Sequence, residues 1–269
     1  FKKMTIHYNI QDIEPYINWI YFYHAWNMNG KPETEKMKLR GDAEQMLHEW
    51  YGKYHTHAVF EILDANSDGD DLILNGIRIP MLRQQKLIAD GLPNLCLTDF
   101  VRPASTGIKD KAGLFATTVD TELQKKYVND EYKRMMAQVL ADRLAEGTAE
   151  RMHEEVRRKY WGYAPNEKLT MKQTHNEEYQ GIRPAIGYPS LPDTSLNFII
   201  SDIIDMKGIG IRLTENGMMT PHASVSGFMF SHPQSKYFDL GRIGNDQIVD
   251  YANRRGIPVE LVKKFLKFA

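Results

Sequence analysis

Largely apolar residues recur at every fourth position within 121–160, and this is the strongest helical signal in the chain. Charged residues surround this stripe, so the pattern predicts a helix with one buried face. A helix of that length exceeds the usual range, and we expect a bend or break with Gly147 as the weak point. Shorter patterns predict further helices over 42–54, 194–206, 245–254 and 258–268.

Short runs bounded by Gly, Pro, Asn or Asp predict strands that are concentrated in the first half of the chain. Asn75-Gly76 separates two of these runs and is a favoured two-residue hairpin turn. No internal repeat, low-complexity run or long linker divides the chain, so we expect one domain over 1–269. The predicted strands are 58–63, 71–74, 77–79, 95–101, 113–119, 209–213 and 223–230.

The overall composition excludes several classes of protein. The net charge is −1, which gives no electrostatic footprint for nucleic acid, and no apolar run approaches the length of a membrane span. The one cysteine, Cys96, excludes an internal disulfide framework and a cysteine-rich zinc site, and favours a cytoplasmic setting. The chain begins with Phe1 instead of an initiator Met, so we expect a segment of a longer polypeptide. The first residues do not show the basic and then apolar pattern of a signal peptide.

Several short motifs favour structural interpretations over chemistry. Residues 64–69 match the first half of an EF-hand calcium loop, but the twelfth position is Asn75 instead of Glu, which favours an acidic turn. His55 and His57 would share one face of a strand, and a surface or half-buried pair is favoured over a metal site. Cys96 lies in an apolar pattern and is expected in the core. No pair of nucleophile and base is visible in the sequence.

The stretch 179–189 is too rich in Gly and Pro for a helix interior or a central strand. Pro184 favours an extended conformation for Arg183, and Gly187 allows positive φ and close approach of a ligand. A guanidinium in a rigid aromatic loop suits a small molecule with a carboxylate, although an ordinary connecting loop fits equally well. Tyr237 and Phe238 form an aromatic pair that suits either stacking on a planar base or simple packing.

Six separate motifs, in order along the chain, resemble the C-terminal activation domain of cobalamin-dependent methionine synthase. They are PYINW at 15–19, LTDF at 97–100, ADRLAE at 141–146, YWGYAPNE at 160–167, RPAIGY at 183–188, and ASVSG at 223–227 with SHP at 231–233. The resemblance implies an α+β fold, with a single C-shaped domain in which helices flank a twisted antiparallel sheet.

The resemblance also implies a function. Such a domain binds S-adenosylmethionine and positions its methyl group for reductive methylation of inactive cob(II)alamin, which a cobalamin-binding module of the same parent chain holds. The electron comes from a flavodoxin-type reductase. The chain would thus be part of a methyltransferase and inactive alone, and positioning would be its main contribution, with no catalytic residue of its own.

The resemblance assigns ligand contacts residue by residue. Arg183 would bind the methionine carboxylate, the backbone at Ala185 and Gly187 would approach the adenosine beside Tyr188, and Tyr237 with Phe238 would match the family's paired aromatics. Glu146 and Glu177 match acids near the ligand.

One position departs from the family pattern, because Asn18 stands where an acid should hold the ligand's amino group. Asn loses the charge assistance of that contact, about 1 kcal/mol, for which Glu146 could compensate. The rival hypothesis is a docking module for a corrinoid protein with weakened or lost S-adenosylmethionine binding. A freestanding methyltransferase is disfavoured, because no candidate base is visible.

Overall fold

The computed structural model describes residues 2–86 and 89–266, and its centre is a strongly curled antiparallel sheet flanked by helices. This confirms the α+β fold that the resemblance implies. The strands are β1 (Met4–Asn9), β2 (His55–Asp68), β3 (Asp71–Leu74), β4 (Ile77–Pro80), β5 (Asp110–Val119), β6 (Arg212–Leu213), β7 (Met219–Thr220) and β8 (Ser224–Met229). The helices are α1 (Ile10–Ile13), α2 (Trp19–Ala25), α3 (Glu33–Trp50), α4 (Glu131–Glu155), α5 (Met171–His175), α6 (Leu196–Ile204), α7 (Asn245–Arg255) and α8 (Val259–Leu266).

The long strand β2 organises the sheet, whose order is β4-β3-β2-β5-β8. β1 pairs with β2 along 55–60 and β3 pairs with it along 65–68, while β5 follows the other edge over 56–65. Each face of the sheet covers its own core. On one face Phe60 and Phe115 pack with α3 and α4, and on the other Val59 and Leu114 pack with α6. β8 is the last strand at one end of this order, so a further segment can pair with its outer edge.

The helical pattern predicted within 121–160 forms a helix only from Glu131, after a 3₁₀ turn over Thr121–Gln124, and this helix does not break at Gly147. The helix runs unbroken from residue 131 to residue 155 and continues as a π-helical turn over Val156–Tyr160. Gly147 is buried, and a Cβ there would lie 3.1 Å from Cγ2 of Ile13. The prediction of a weak point was therefore wrong, because this glycine lets another segment pack closely against an intact helix.

Several other helices and strands differ from their predicted type or bounds. The strand predicted over 95–101 is wrong, because Leu97–Phe100 form a 3₁₀ helix whose first N–H, at Cys96, donates to the Asp99 carboxylate at 2.9 Å. The strand predicted over 209–213 shrinks to β6, since Met206–Ile209 form a 3₁₀ turn. The helix predicted over 42–54 begins earlier and ends earlier, as α3. The helix predicted over 258–268 appears as α8, and residues 267–268 of that prediction lie outside the described residues.

Two local predictions are confirmed. Asn75 and Gly76 both have positive φ, at 49° and 84°, and join β3 to β4 in the expected hairpin. Cys96 is fully buried. The acidic turn predicted for residues 64–69 is wrong for 64–68, because β2 continues as a strand to Asp68. Asp64 in this strand forms an ion pair with Lys111 at 2.8 Å. Within residues 2–86 and 89–266, no helix is long and apolar enough to cross a membrane.

Candidate functional site

A cavity of about 530 Å³ lies where four separate segments of the chain meet. The segments are the turn before α2, the middle of α4, the loop 175–190 and the residues 237–239. Eight of the nine residues proposed from the sequence line this cavity: Asn18, Glu146, Glu177, Arg183, Ala185, Tyr188, Tyr237 and Phe238. Gly187 lines a neighbouring cavity instead, which shares Pro189 and Asp239 with the first.

Backbone hydrogen bonds to β8 hold the loop segment 182–186 extended. Ile182 exchanges both backbone bonds with Phe230, at 2.9 and 3.0 Å, and the Phe228 N–H donates to the Pro184 carbonyl at 3.0 Å. Gly227 lies opposite this segment, and a Cβ on it would lie 2.0 Å from the Pro184 oxygen. The loop can therefore approach the sheet only because β8 has a glycine at this position.

Arg183 is the cation at the centre of the cavity wall. Its side chain is 8% exposed, and its Nη2 lies 3.3 Å from Oε2 of Glu150. Burial opposes the charged form of Arg183 most strongly, but the negative charge of Glu150 and the smaller effects of Tyr179, Tyr237 and Glu146 together hold the pKa of the guanidinium above its ordinary value. Among the described residues its Nε has no hydrogen-bond partner. A buried donor without an acceptor is costly, so an anionic group that a ligand brings to this guanidinium would be stabilising.

Tyr237 connects Arg183 to the aromatic wall of the cavity. Its hydroxyl accepts the backbone N–H of Arg183 at 2.9 Å and lies 3.0 Å from the hydroxyl of Tyr179. Phe238 packs near Phe100, with ring centroids 6.5 Å apart. The predicted aromatic pair thus has two different surroundings, since Tyr237 takes part in a polar network and Phe238 packs on a hydrophobic core.

Acidic groups outnumber basic groups on the wall, which carries Glu146, Glu150, Glu177 and Asp239 against Arg143 and Arg183. Glu146 accepts the hydroxyl of Tyr188 at 2.8 Å, and its negative charge, followed by burial, raises the pKa of that tyrosine. Burial, and then the negative charge of Glu150, raise the pKa of the Glu177 carboxyl. This excess of acid suits a ligand that carries positive charge near its carboxylate.

The side chain of Asn18 already has a hydrogen-bond partner in the backbone. The side-chain oxygen of Asn18 accepts the backbone N–H of Ile20 at 3.2 Å and caps α2, so it already has a donor.

His57 contacts Asp120 through Nε2 at 2.5 Å and His7 through Nδ1 at 2.7 Å. Among the residues that the structure describes, no three His, Cys, Asp or Glu side chains form a group that could hold a metal ion.

Sequence reasoning missed several residues of the wall. Glu150 follows Glu146 by four positions and shares its face of α4, which was a usable signal. Tyr179 stood inside the recognised loop but received no role. Tyr16 and His175 also line the cavity, and Nε2 of His175 forms a hydrogen bond of 3.0 Å with the Tyr16 carbonyl. No local sequence pattern predicts this contact.

Comparison with known proteins identifies the family. The family model described as the activation domain of vitamin B12-dependent methionine synthase matches residues 9–256. Among solved structures, the chain is similar to the MetH reactivation domain bound to AdoHcy, with 37% identity and a TM-score of 0.93. The match covers 99% of this chain and 90% of that chain. The chain therefore belongs to the family of activation domains of vitamin B12-dependent methionine synthase.

Proposed function

We propose that this chain, as one module over 1–269, binds S-adenosylmethionine and presents its methyl group to the cobalamin held by another module of the same parent chain. The observation that carries the proposal is the convergence of eight predicted residues, from four distant segments, on one cavity beside the buried Arg183. The similar solved structure bound to AdoHcy supports a ligand of this class.

The residues of the wall then have separate parts in holding the ligand. Arg183 binds the carboxylate, for which its unpartnered Nε supplies a donor. The backbone at Ala185 and Gly187 lies against the adenosine beside Tyr188, and the excess of acid favours the sulfonium and ammonium groups. The partner's cobalamin supplies the methyl acceptor, and a flavodoxin-type reductase supplies the electron. The chain's own contribution is positioning, so we expect the isolated domain to be inactive alone, and we place it in the cytoplasm.

The second candidate is a docking module for a corrinoid protein with weakened ligand binding. Two contacts favour it, because the oxygen of Asn18 is engaged by Ile20 and the carboxylate of Glu146 is engaged by Tyr188. Oδ1 of Asn18 and Oε1 of Glu146 each already accept one hydrogen bond, so each is a weaker acceptor for the ligand's ammonium group. The two candidates differ in whether the isolated chain binds the ligand at all.

Isothermal titration calorimetry with S-adenosylmethionine and S-adenosylhomocysteine separates the candidates. We expect binding by the unaltered chain, and a loss of well over tenfold in affinity for Arg183→Ala, because a buried charge-assisted contact to the carboxylate is worth about 1.5–3 kcal/mol. Arg158→Ala is the control, since Arg158 is half exposed and pairs with Glu154 away from the cavity. No heat at millimolar ligand would favour the docking module, and unchanged affinity of Arg183→Ala would show that the carboxylate binds elsewhere.

A further inference from the structure

Tyr179 is the most tightly held ring around the cavity. It is 7% exposed, and the guanidinium carbon of Arg157 lies 4.2 Å from its ring centroid. The ring of His153 meets it edge-on, at 4.9 Å and 85°. Tyr179 is therefore fixed by a cation on its face and by a second ring, so its hydroxyl has a defined place.

Arg157 reaches Tyr179 through an unusual local structure. It lies in the π-helical turn Val156–Tyr160, and its side chain is fully buried. Two parallel bonds join it to Glu167, from Nε at 2.7 Å and from Nη2 at 2.8 Å. A buried ion pair is weak evidence for stability, because desolvation offsets most of its attraction. Its clearest consequence here is the placement of a planar cation over Tyr179.

The hydroxyls of Tyr179 and Tyr237 leave one donor unused. Each carries one proton, and one of the two protons lies in the bond between the oxygens, which are 3.0 Å apart. The Tyr237 oxygen also accepts the backbone N–H of Arg183. Neither hydroxyl has another acceptor among the described residues, and both tyrosines line the cavity. One O–H group is therefore available to a ligand.

We propose that Tyr179 is a positioning residue that donates to Tyr237 and thereby directs the Tyr237 O–H towards the carboxylate of the bound ligand. Tyr237 is the less buried residue of the two, which favours its hydroxyl as the one that donates to a ligand. Because Tyr237 also accepts the Arg183 backbone N–H, the same hydroxyl connects the loop to the carboxylate. This inference rests on the proposed function, since it deepens the description of the same site.

The consequence is a second, neutral donor for the carboxylate beside the charged one. Arg183 attracts the carboxylate over a distance, whereas a fixed hydroxyl selects its orientation. A ligand that lacks the amino-acid portion, such as 5′-methylthioadenosine, cannot use this donor. The arrangement therefore favours ligands that carry an intact carboxylate.

Calorimetry on four variants tests the inference. Tyr179→Phe should weaken S-adenosylhomocysteine binding by about three- to tenfold, the loss expected for one neutral hydrogen bond. Tyr132→Phe is the control, because it removes a hydroxyl that donates to the Asp42 carboxylate at 2.7 Å, away from the cavity, and it should bind normally. Tyr237→Phe should lose at least as much as Tyr179→Phe. The double variant Tyr179→Phe/Tyr237→Phe should match Tyr237→Phe, since Tyr179 acts only through Tyr237.

The outcomes separate this inference from the proposed function. If the unaltered chain binds no S-adenosylhomocysteine, both fail. If it binds and Tyr179→Phe binds equally well, the inference alone fails. It also fails if the two tyrosine losses add in the double variant, or if Tyr179→Phe loses as much affinity for 5′-methylthioadenosine as for S-adenosylhomocysteine.

Discussion

Replacing Gly227 with alanine should displace the loop segment 182–186 although Gly227 itself does not line the cavity. Gly227 lies in β8, opposite Ala185 in an isolated bridge. An added Cβ would lie 2.0 Å from the Pro184 oxygen and 2.9 Å from the Ala185 Cα. Both contacts are with backbone, so no side-chain rotation can relieve them.

The size of the effect follows from these distances. Real Cβ contacts essentially never fall below 3.0 Å, so the Pro184 carbonyl must retreat by about 1 Å. That shift would break the bonds from Phe228 N–H to Pro184 at 3.0 Å and from Ile186 N–H to Ser226 at 2.8 Å. Two such bonds are worth about 1–3 kcal/mol in unfolding free energy. Arg183 precedes Pro184 directly, so we expect ligand affinity to fall at least about tenfold, or ~1.4 kcal/mol.

The assay combines calorimetry with S-adenosylhomocysteine and urea denaturation on the same preparations. Gly113→Ala is the control, because Gly113 lies in the neighbouring strand β5 and its added Cβ would mainly meet the flexible end of Met229, whose Cε is 2.7 Å away. This variant should lose some stability and keep its ligand affinity. The comparison therefore separates damage to the sheet from displacement of the loop.

Retention of affinity by Gly227→Ala would refute the reasoning. If the variant loses stability and still binds within twofold of the unaltered chain, the loop does not need its close approach to β8. If both affinity and stability are unchanged, the loop has moved without cost, and the hydrogen bonds to β8 do not position Arg183.

Two further predictions concern buried ionisable groups. Asp193→Asn should cost about 3–5 kcal/mol in unfolding free energy, because the carboxylate accepts from Tyr251 and Arg255 while only 3% exposed, and its loss leaves a buried guanidinium unpaired. Urea denaturation measures this loss. His153→Leu should flatten the pH dependence of stability on the acid side, because burial, aided by Arg157, holds the pKa of His153 well below 6.5. Urea titrations at several pH values between 7.5 and 5 measure this slope.

The sign of the histidine effect follows from proton binding. The unfolded chain takes up a proton near pH 6.5, whereas folded His153 stays neutral, so its contribution is present above that pH and is lost as pH falls, by up to about 1.4 kcal/mol per pH unit. An unchanged slope in the variant would contradict this account. For Asp193, the control is Asp250→Asn, whose carboxylate is 63% exposed and should matter by less than about 1 kcal/mol. Equal losses in the two variants would contradict the role of burial.

The sequence predicted those elements whose signal is local. The β3–β4 hairpin depends on Asn75-Gly76 alone, and this turn was found. The segment 95–101 was misread because a short apolar run does not distinguish a strand from a buried turn. There the Asp99 carboxylate caps the backbone and gives a 3₁₀ helix. The start of α3 was missed because its first residues, from Glu33 on, are mostly polar and show no apolar face.

The sequence did not predict those parts of the site that depend on tertiary contacts. Arg183 and Tyr188 were found because they sit in a motif that resembles a known family, and Tyr237 was found because it belongs to an aromatic pair. Glu150 and Tyr179 were not given a role, since each acquires one only when α4 and the loop are brought together. The charge balance of the cavity likewise depends on this assembly, as no segment of the chain shows it alone. The ligand contacts of the nine residues remain predictions until binding is measured.

Two glycines, one in α4 and one in β8, explain how such distant residues can share one cavity. Gly147 lets the segment around Ile13 approach α4, which places Tyr16 and Asn18 beside Glu146. Gly227 does the same for the loop that carries Arg183. Neither glycine has positive φ, so the need for glycine arises from the absence of a side chain and not from backbone conformation. A residue type that offers no group to a ligand can thus determine the shape of its site, which is why a search for functional groups along the sequence passes over it.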